Sequence, residues 1–170
     1  MATFIFFWNP EISSYKLDEH REILKGNGVL ENWSIWEHTE VAEGDTFYLI
    51  RCKNRPEPGK VNKYGKQLWV PVLDDTTGIC IAGTIISEAW QGEDWSGKGR
   101  ETYYVDLNVD YMTDPDENII ITSKELMQQL PEFDWTGGHS GRKLDYALAQ
   151  KLDDMVEKRI KEIIESSDKV

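Results

Sequence analysis

Apolar and polar positions along the chain switch between two periods, and the switches divide it into elements. Phe4 to Trp8 is a continuous apolar run ended by Asn9-Pro10, which predicts a buried strand. Residues 17–25 carry Leu17, Arg21 and Leu24 at helical spacing, with Gly26 and Gly28 as stop signals. Residues 29–38, which hold Trp33 and Trp36, read as irregular. Glu43-Gly44-Asp45 is a turn before a strand over 46–52. Residues 54–66 predict a polar, basic loop, and Pro71 makes 68–72 an edge strand or the end of one. Residues 74–78 are a turn, 79–87 a strand whose Gly83 marks a bulge, and 89–100 a loop holding Trp and Gly.

The clearest alternation sets Tyr103, Val105, Leu107, Val109 and Tyr111 against Thr102, Tyr104, Asp106, Asn108 and Asp110, a strand with one wet face. A turn at 114–118 leads to a short strand at 119–121. Thr122 to Glu125 is a capping box opening a short helix that Pro131 stops. Residues 134–141 read as a loop. A long helix over about 142–165 then carries a stripe that includes Leu144, Leu148, Leu152, Val156 and Ile160. Short strand spacings, hairpin-like links and terminal helices predict one α+β domain over 1–170. Its architecture is a small barrel or curled sheet of about five or six strands with helices packed on it.

Composition narrows the function classes. Hydrophobic residues at 39% and charged residues at 29% describe a globular chain. No apolar run approaches the roughly 18 residues of a membrane helix, so no membrane partner is expected. The opening residues lack a basic segment and a small-residue cleavage site, so no secretory signal is expected. Cys52 and Cys80 lie in apolar runs and read as buried thiols of a reducing cytoplasm. The formal net charge of −12 argues against a polybasic nucleic-acid binder. Yet residues 51–66 hold six cations against Glu57 alone, a local +5 that leaves −17 elsewhere.

Motifs for catalysis and metals fail on their context. Gly138-His139-Ser140-Gly141 has Arg142 where a nucleophile elbow needs glycine, and no strand leads into it. Its plainer reading is a cap for the last helix, through Ser140 or Gly141. Asp114, Asp116, Asn118 and Glu125 echo a calcium loop, but Ile119 stands where the loop needs glycine. Asp106 and Asp110 on one strand would lie about 13 Å apart, too far to share a metal. His20, His38 and His139 match no ligand spacing, and Gly97-x-Gly99 lacks a dinucleotide loop's third glycine. The expectation is a non-catalytic chain without metal or cofactor.

Aromatic and basic residues remain. Of seven tryptophans, only Trp69 sits inside an apolar strand run; the others lie at strand ends or in loops, the distribution of a pocket rim. Flat rings stack on nucleobases, and the basic segment could hold the phosphates beside them. The plainer alternative is that many of these rings close the ends of a small barrel and the basic loop is solvated.

The segments FIFFWNPEISSYKLDE, NWSIWEHTEVAEGDTFYLIR, GICIAGTIIS, YYVDLNVDY and LPEFDWTGGHSGRKLDYALAQKL, with Trp90 and Trp95 between the third and fourth, resemble in order an EVE domain. That is a PUA-like module, related to YTH readers and carried by some modification-dependent HNH restriction proteins. The resemblance spans about residues 4–152. It implies a pseudo-barrel whose concave pocket accepts a flipped, modified base. It places Trp8 and Asn9 at the end of the first strand, Trp33 and Ser34 on the wall, and Trp95 and the Trp135–Ser140 loop across the mouth; Trp36 is also expected in the pocket. Lys53, Arg55, Lys60, Lys63, Lys66 and Arg142 are the expected phosphate contacts. The nuclease part of those proteins is absent, and the stretch 54–75 is longer than the family carries. The expected partner is nucleic acid, with modified DNA ahead of RNA, beside a protein that supplies an effector activity. The competing expectation is a protein-interaction module that uses the acidic surface and the last helix, its pocket vestigial.

Overall fold

A computed structural model describes residues 1–94 and 97–168. In chain order the elements are β1 (Thr3–Trp8), α1 (Leu17–Leu24), β2 (Asn32–Trp36), β3 (Thr46–Arg51), β4 (Asn54–Val61), β5 (Gln67–Pro71), β6 (Gly78–Ile85), β7 (Trp90–Glu93), β8 (Glu101–Met112), β9 (Ile121–Thr122), α2 (Ser123–Gln129), β10 (Arg142–Lys143) and α3 (Tyr146–Asp168). One sheet runs β10-β1-β3-β6-β8-β2, with β7 added to β8 and β9 to β6; β4 and β5 form a separate ribbon. β1 and β3 are parallel, and the other pairs are antiparallel. The result is a mixed α+β fold, an open curled sheet with a C-terminal helix. None of the described helices is long and apolar enough to cross a membrane.

The central strands read as unbroken apolar runs because both faces of the sheet are covered. Period two sends Phe4, Phe6, Trp8, Phe47 and Leu49 into the concave core, with Ile35, Val105 and Leu107. The alternate residues Ile5, Tyr48 and Ile50 enter the convex core, with Leu126 of α2 and Leu148, Leu152 and Val156 of α3. Asp153 interrupts the apolar stripe of α3 for a reason. It accepts hydrogen bonds from Tyr48 Oη at 2.7 Å and from Thr3 Oγ1 at 3.2 Å, which pins α3 across β1 and β3. Arg159 pins the same helix to α2, with Nη1 on Ile120 O and two bonds to Glu125. Glu125 therefore does not complete the capping box, although Thr122 Oγ1 caps the Glu125 N–H as expected.

Gly83 sits where the β6–β8 register shifts, as its position suggested. A Cβ there would collide with the Asn108 carbonyl oxygen and the Phe47 ring, so the bulge requires a residue without a side chain. Cys52 and Cys80 are free and buried; burial pushes the Cys52 thiol up to about 12.

Five expectations are corrected. The last helix starts at Tyr146, not 142, because Gly141 N and Leu144 N bond Ile5 O and Thr3 O and make 142–143 a strand. Neither Ser140 nor Gly141 caps the helix; the Ala147 N–H bonds the Asp145 carboxylate. Residues 29–38 contain a real strand, β2, short and bulged between Ser34 and Trp36, so no alternation is legible. Residues 54–66 are mostly strand rather than loop, since an isolated ribbon is all edge and tolerates proline. Trp69, assigned to an apolar strand run, stands 57% exposed on that ribbon.

The sheet is not closed by a ladder between β10 and β2. Instead its two ends are clasped by Ser140. That hydroxyl accepts from Phe7 N at 2.9 Å and from Trp33 Nε1 at 3.1 Å, and donates to Phe7 O at 3.2 Å. Next to it, Gly141 (φ 94°) lets β2 approach so closely that a Cβ would lie 3.0 Å from the Cβ atoms of Ile35 and His38.

Candidate functional site

The clasp borders an open cleft of about 920 Å³ at the end of β1. Six parts of the chain line it: the end of β1 with its following turn, Glu19 of α1, the chain entering β2, β2 itself, Asp94 with the stretch 98–104, and the loop 138–140.

Its floor is an aromatic stack held by buried hydrogen bonds. Trp8, 1% exposed, donates its indole N–H to Tyr15 O at 2.8 Å and lies face to face with His20 at 4.9 Å. Tyr15 and Trp33 meet at right angles, with ring centres 5.8 Å apart. His20 Nε2 lies 2.7 Å from Thr113 O, a carbonyl that can only accept, so Nε2 carries the proton. Nδ1 then accepts from Tyr15 Oη at 2.8 Å. Burial lowers the His20 pKa, outweighing the bond to Thr113 and the Asp114 charge that act the other way.

The rim is built from strain. The β2–β8 register shifts between Ser34 and Trp36, which sends Ile35 into the core and throws Trp36 outward. Among the described residues, Trp36 is the single non-glycine with positive φ, at 56°. The left-handed region costs a residue with a Cβ about 1–2 kcal/mol. The ring it displays is 36% exposed and stacks on His139 at 5.3 Å with the planes 9° apart. Such strain persists where the surrounding structure over-determines it, and it clusters at functional sites.

Polar groups stand between these rings. Asn9 lines the cleft; its Oδ1 accepts from Glu11 N, and its NH2 has no protein acceptor among the described residues. Asn32 and Ser34 line the cleft, and their side chains make no hydrogen bond among the described residues. Thr102 Oγ1 is buried there with no hydrogen-bond partner among the described residues. The lining charges are mixed: Lys98 and Arg100 against Glu19, Glu31 and Asp94. Planar, mostly uncharged molecules with hydrogen-bonding edges match this surface.

The structure therefore brings together Trp8, Asn9, Trp33, Ser34, Trp36 and Ser140 from the expected set. Two of them have a structural task first: Trp8 is floor and Ser140 is clasp. Trp135 is corrected. It is fully buried in the convex core, donates to Leu130 O at 2.7 Å and packs on Phe133 at 4.7 Å. A tryptophan in a loop can anchor that loop from beneath, which its sequence context does not distinguish from a rim. Trp95 lies outside the described residues.

The expected phosphate contacts do not line the cleft. Lys53 is tied to Asp74 at 3.1 Å and Thr76 at 3.0 Å, and the Arg142 guanidinium covers the Phe133 ring at 4.3 Å. Arg55, Lys60, Lys63 and Lys66 stand on or at the tip of the β4–β5 ribbon. The cleft instead has its own cations, Lys98 and Arg100, which make no ion pair among the described residues. Sequence reasoning missed them, together with Tyr15, Asn32 and Thr102 as lining residues; His139 was expected only as part of the Trp135–Ser140 loop. The alternation of β8 marked Thr102 as facing away from the core strand residues, the one signal that was available for it.

No protein-family model matches the chain, and no curated protein matches it.

Proposed function

We propose that the chain is a non-catalytic nucleic-acid-binding module of the EVE/PUA-like kind, whose cleft takes a flipped base carrying a modification. The observation that supports this most is Trp36, kept in a strained backbone conformation and stacked on His139 at the mouth of an open aromatic cleft. A base entering the cleft would stack on exposed ring surface, a contact worth about 1–3 kcal/mol per base. Asn9, Asn32, Ser34 and Thr102 would read its polar edge, and unpaired groups of this kind reject a ligand that leaves them unpaired. A base leaves a duplex at the cost of a few kcal/mol, which the stack must exceed. Lys98 and Arg100 at the mouth would hold the flanking phosphates. DNA is the favoured polymer and RNA the alternative, in the cytoplasm, with effector chemistry supplied by a partner protein.

The test is a titration of short single- and double-stranded DNA carrying cytosine, 5-methylcytosine or 5-hydroxymethylcytosine at one position. A preference for one base that survives rising salt supports the reading. Equal affinity for all three, or none, refutes it.

A second reading has its own observation. The end of α3 carries Ile164, 46% exposed, among Glu157, Glu162 and Glu165. Under that reading the helix binds a basic protein partner, Glu162→Lys with Glu165→Lys disrupts the complex, and wild type shows no preference among the three DNAs.

A further inference from the structure

The β4–β5 ribbon is a two-stranded sheet separate from the main one. None of its residues belongs to either core, so it contributes no packing that would explain its length. It is nevertheless built with care. Gln67 reaches across the bulge in β4 and donates to Glu57 O at 2.8 Å and Lys60 O at 3.3 Å, filling a gap that the shifted register leaves.

Its edges are shaped against further strands. Val72 N donates to Lys53 O at 2.9 Å, so alternation turns the backbone of Arg55 toward β5 and that of Pro56 toward the open edge. On the other strand, Pro71, next to Val72, likewise faces outward. Proline removes the donor an added strand needs, so neither edge invites β-pairing with a protein.

What the ribbon does present is charge and rings. Arg55, Lys60, Lys63 and Lys66 face one carboxylate, Glu57, on a chain whose net charge is −12. Arg55 and Lys60 both lie near Glu57, at 3.2 and 3.9 Å. Lys63 and Lys66 make no ion pair among the described residues, and Lys63 Nζ sits 5.1 Å over the Tyr64 ring. Tyr64 is 73% and Trp69 57% exposed, and Trp69 pairs with Pro56 on one face. Cations interleaved with open aromatic rings suit a strand of phosphates and bases.

We infer that this ribbon is an arm that lies along a nucleic-acid strand, with Lys60, Lys63 and Lys66 on phosphates and Trp69 against a base or sugar. The inference rests on the reading of the partner as nucleic acid, but not on the cleft. Cys52 N bonds Trp8 O at 2.7 Å, so the arm is rooted beside the cleft floor. Eight residues of β4 at about 3.3 Å each reach about 25 Å, or about seven base steps at about 3.4 Å. The arm would thus grip the polymer on one side of the base in the cleft. A two-stranded ribbon also fits the major groove of a duplex.

The experiment measures duplex and single-stranded DNA affinity across a salt series for wild type, Lys60→Gln/Lys63→Gln/Lys66→Gln, and Trp69→Ala. Unchanged thermal melting confirms folding, which the arm's position outside both cores favours. Each lost phosphate contact lowers the duplex salt slope by about 0.9, so the triple variant loses about 2.7 from it. Trp69→Ala weakens single-strand binding about 5- to 150-fold, the equivalent of one lost stack. Neither variant changes the ratio between modified and plain cytosine. Wild-type slope and affinity in the triple variant overturn the arm while leaving the cleft untouched. A weakened triple variant with no base preference in any protein sinks the cleft and keeps the arm. Binding to vesicles with one quarter phosphatidylserine, and to neither DNA, overturns both.

Discussion

Ser140→Ala removes one oxygen from the seam that holds the two ends of the sheet together. The hydroxyl uses its full capacity: it accepts from Phe7 N and Trp33 Nε1 and donates to Phe7 O. Alanine leaves two donors without acceptors in a site where Ser140 itself is 8% exposed. Stranding a buried donor costs about 1–3 kcal/mol, and because both donors are partly buried the low end applies, about 2–3 kcal/mol together. With an m-value of about 2 kcal/mol/M, the urea midpoint falls by about 1–1.5 M. Trp33→Phe removes only the indole donor, so the double-mutant cycle between the two positions isolates that bond, at about 1 kcal/mol. A Ser140→Ala midpoint within about 0.25 M of wild type, equivalent to about 0.5 kcal/mol, would refute the clasp.

Gly83→Ala forces a Cβ onto the Asn108 carbonyl and the Phe47 ring and should destabilise the fold by about 3 kcal/mol, seen as a large drop in melting temperature. Trp135→Ala should cost about 3–5 kcal/mol in chemical denaturation, as a core tryptophan does, whereas Trp36→Asn keeps a left-handed backbone and leaves stability near wild type. His20 gives stability a pH dependence. The unfolded chain takes up its proton near 6.5 and the folded chain only at lower pH, so stability is full above 6.5 and falls as pH drops below it. Urea unfolding at pH 7.5 and 5 should show this loss, and His20→Gln should abolish it. Burial alone would raise the neighbouring Asp114, but its bonds from Arg21 and Asp116 N hold it below 3.8, so its share is lost only in more acidic solution.

Strands with a strong apolar signal were legible from residues alone: β1, β3, β6 and β8 lie close to where the pattern put them, and the bulge at Gly83 is where glycine marked it. Elements whose logic is tertiary were not. β2 is five residues long with a left-handed Trp36, so it has no period to read. β10 exists because β1 offers an edge, and the first turn of the presumed helix was drawn into that ladder. The ribbon breaks the composition rule for strands because nothing covers it. Of the site, the aromatic residues drew notice through their number, but burial sorted them: Trp135 went to the core, Trp36 to the rim. Lys98 and Arg100 carried no signal in one dimension, since a cleft is made by segments that are distant in sequence.

The most direct measurement is the affinity of wild type and Trp36→Asn for single-stranded DNA with one plain or modified cytosine, at low and moderate salt. The cleft reading predicts that wild type prefers one modified base at both salts. It also predicts that Trp36→Asn, folded by its melting curve, loses that preference while keeping its salt-dependent binding. The same preference in both proteins, or no preference in either, would contradict it.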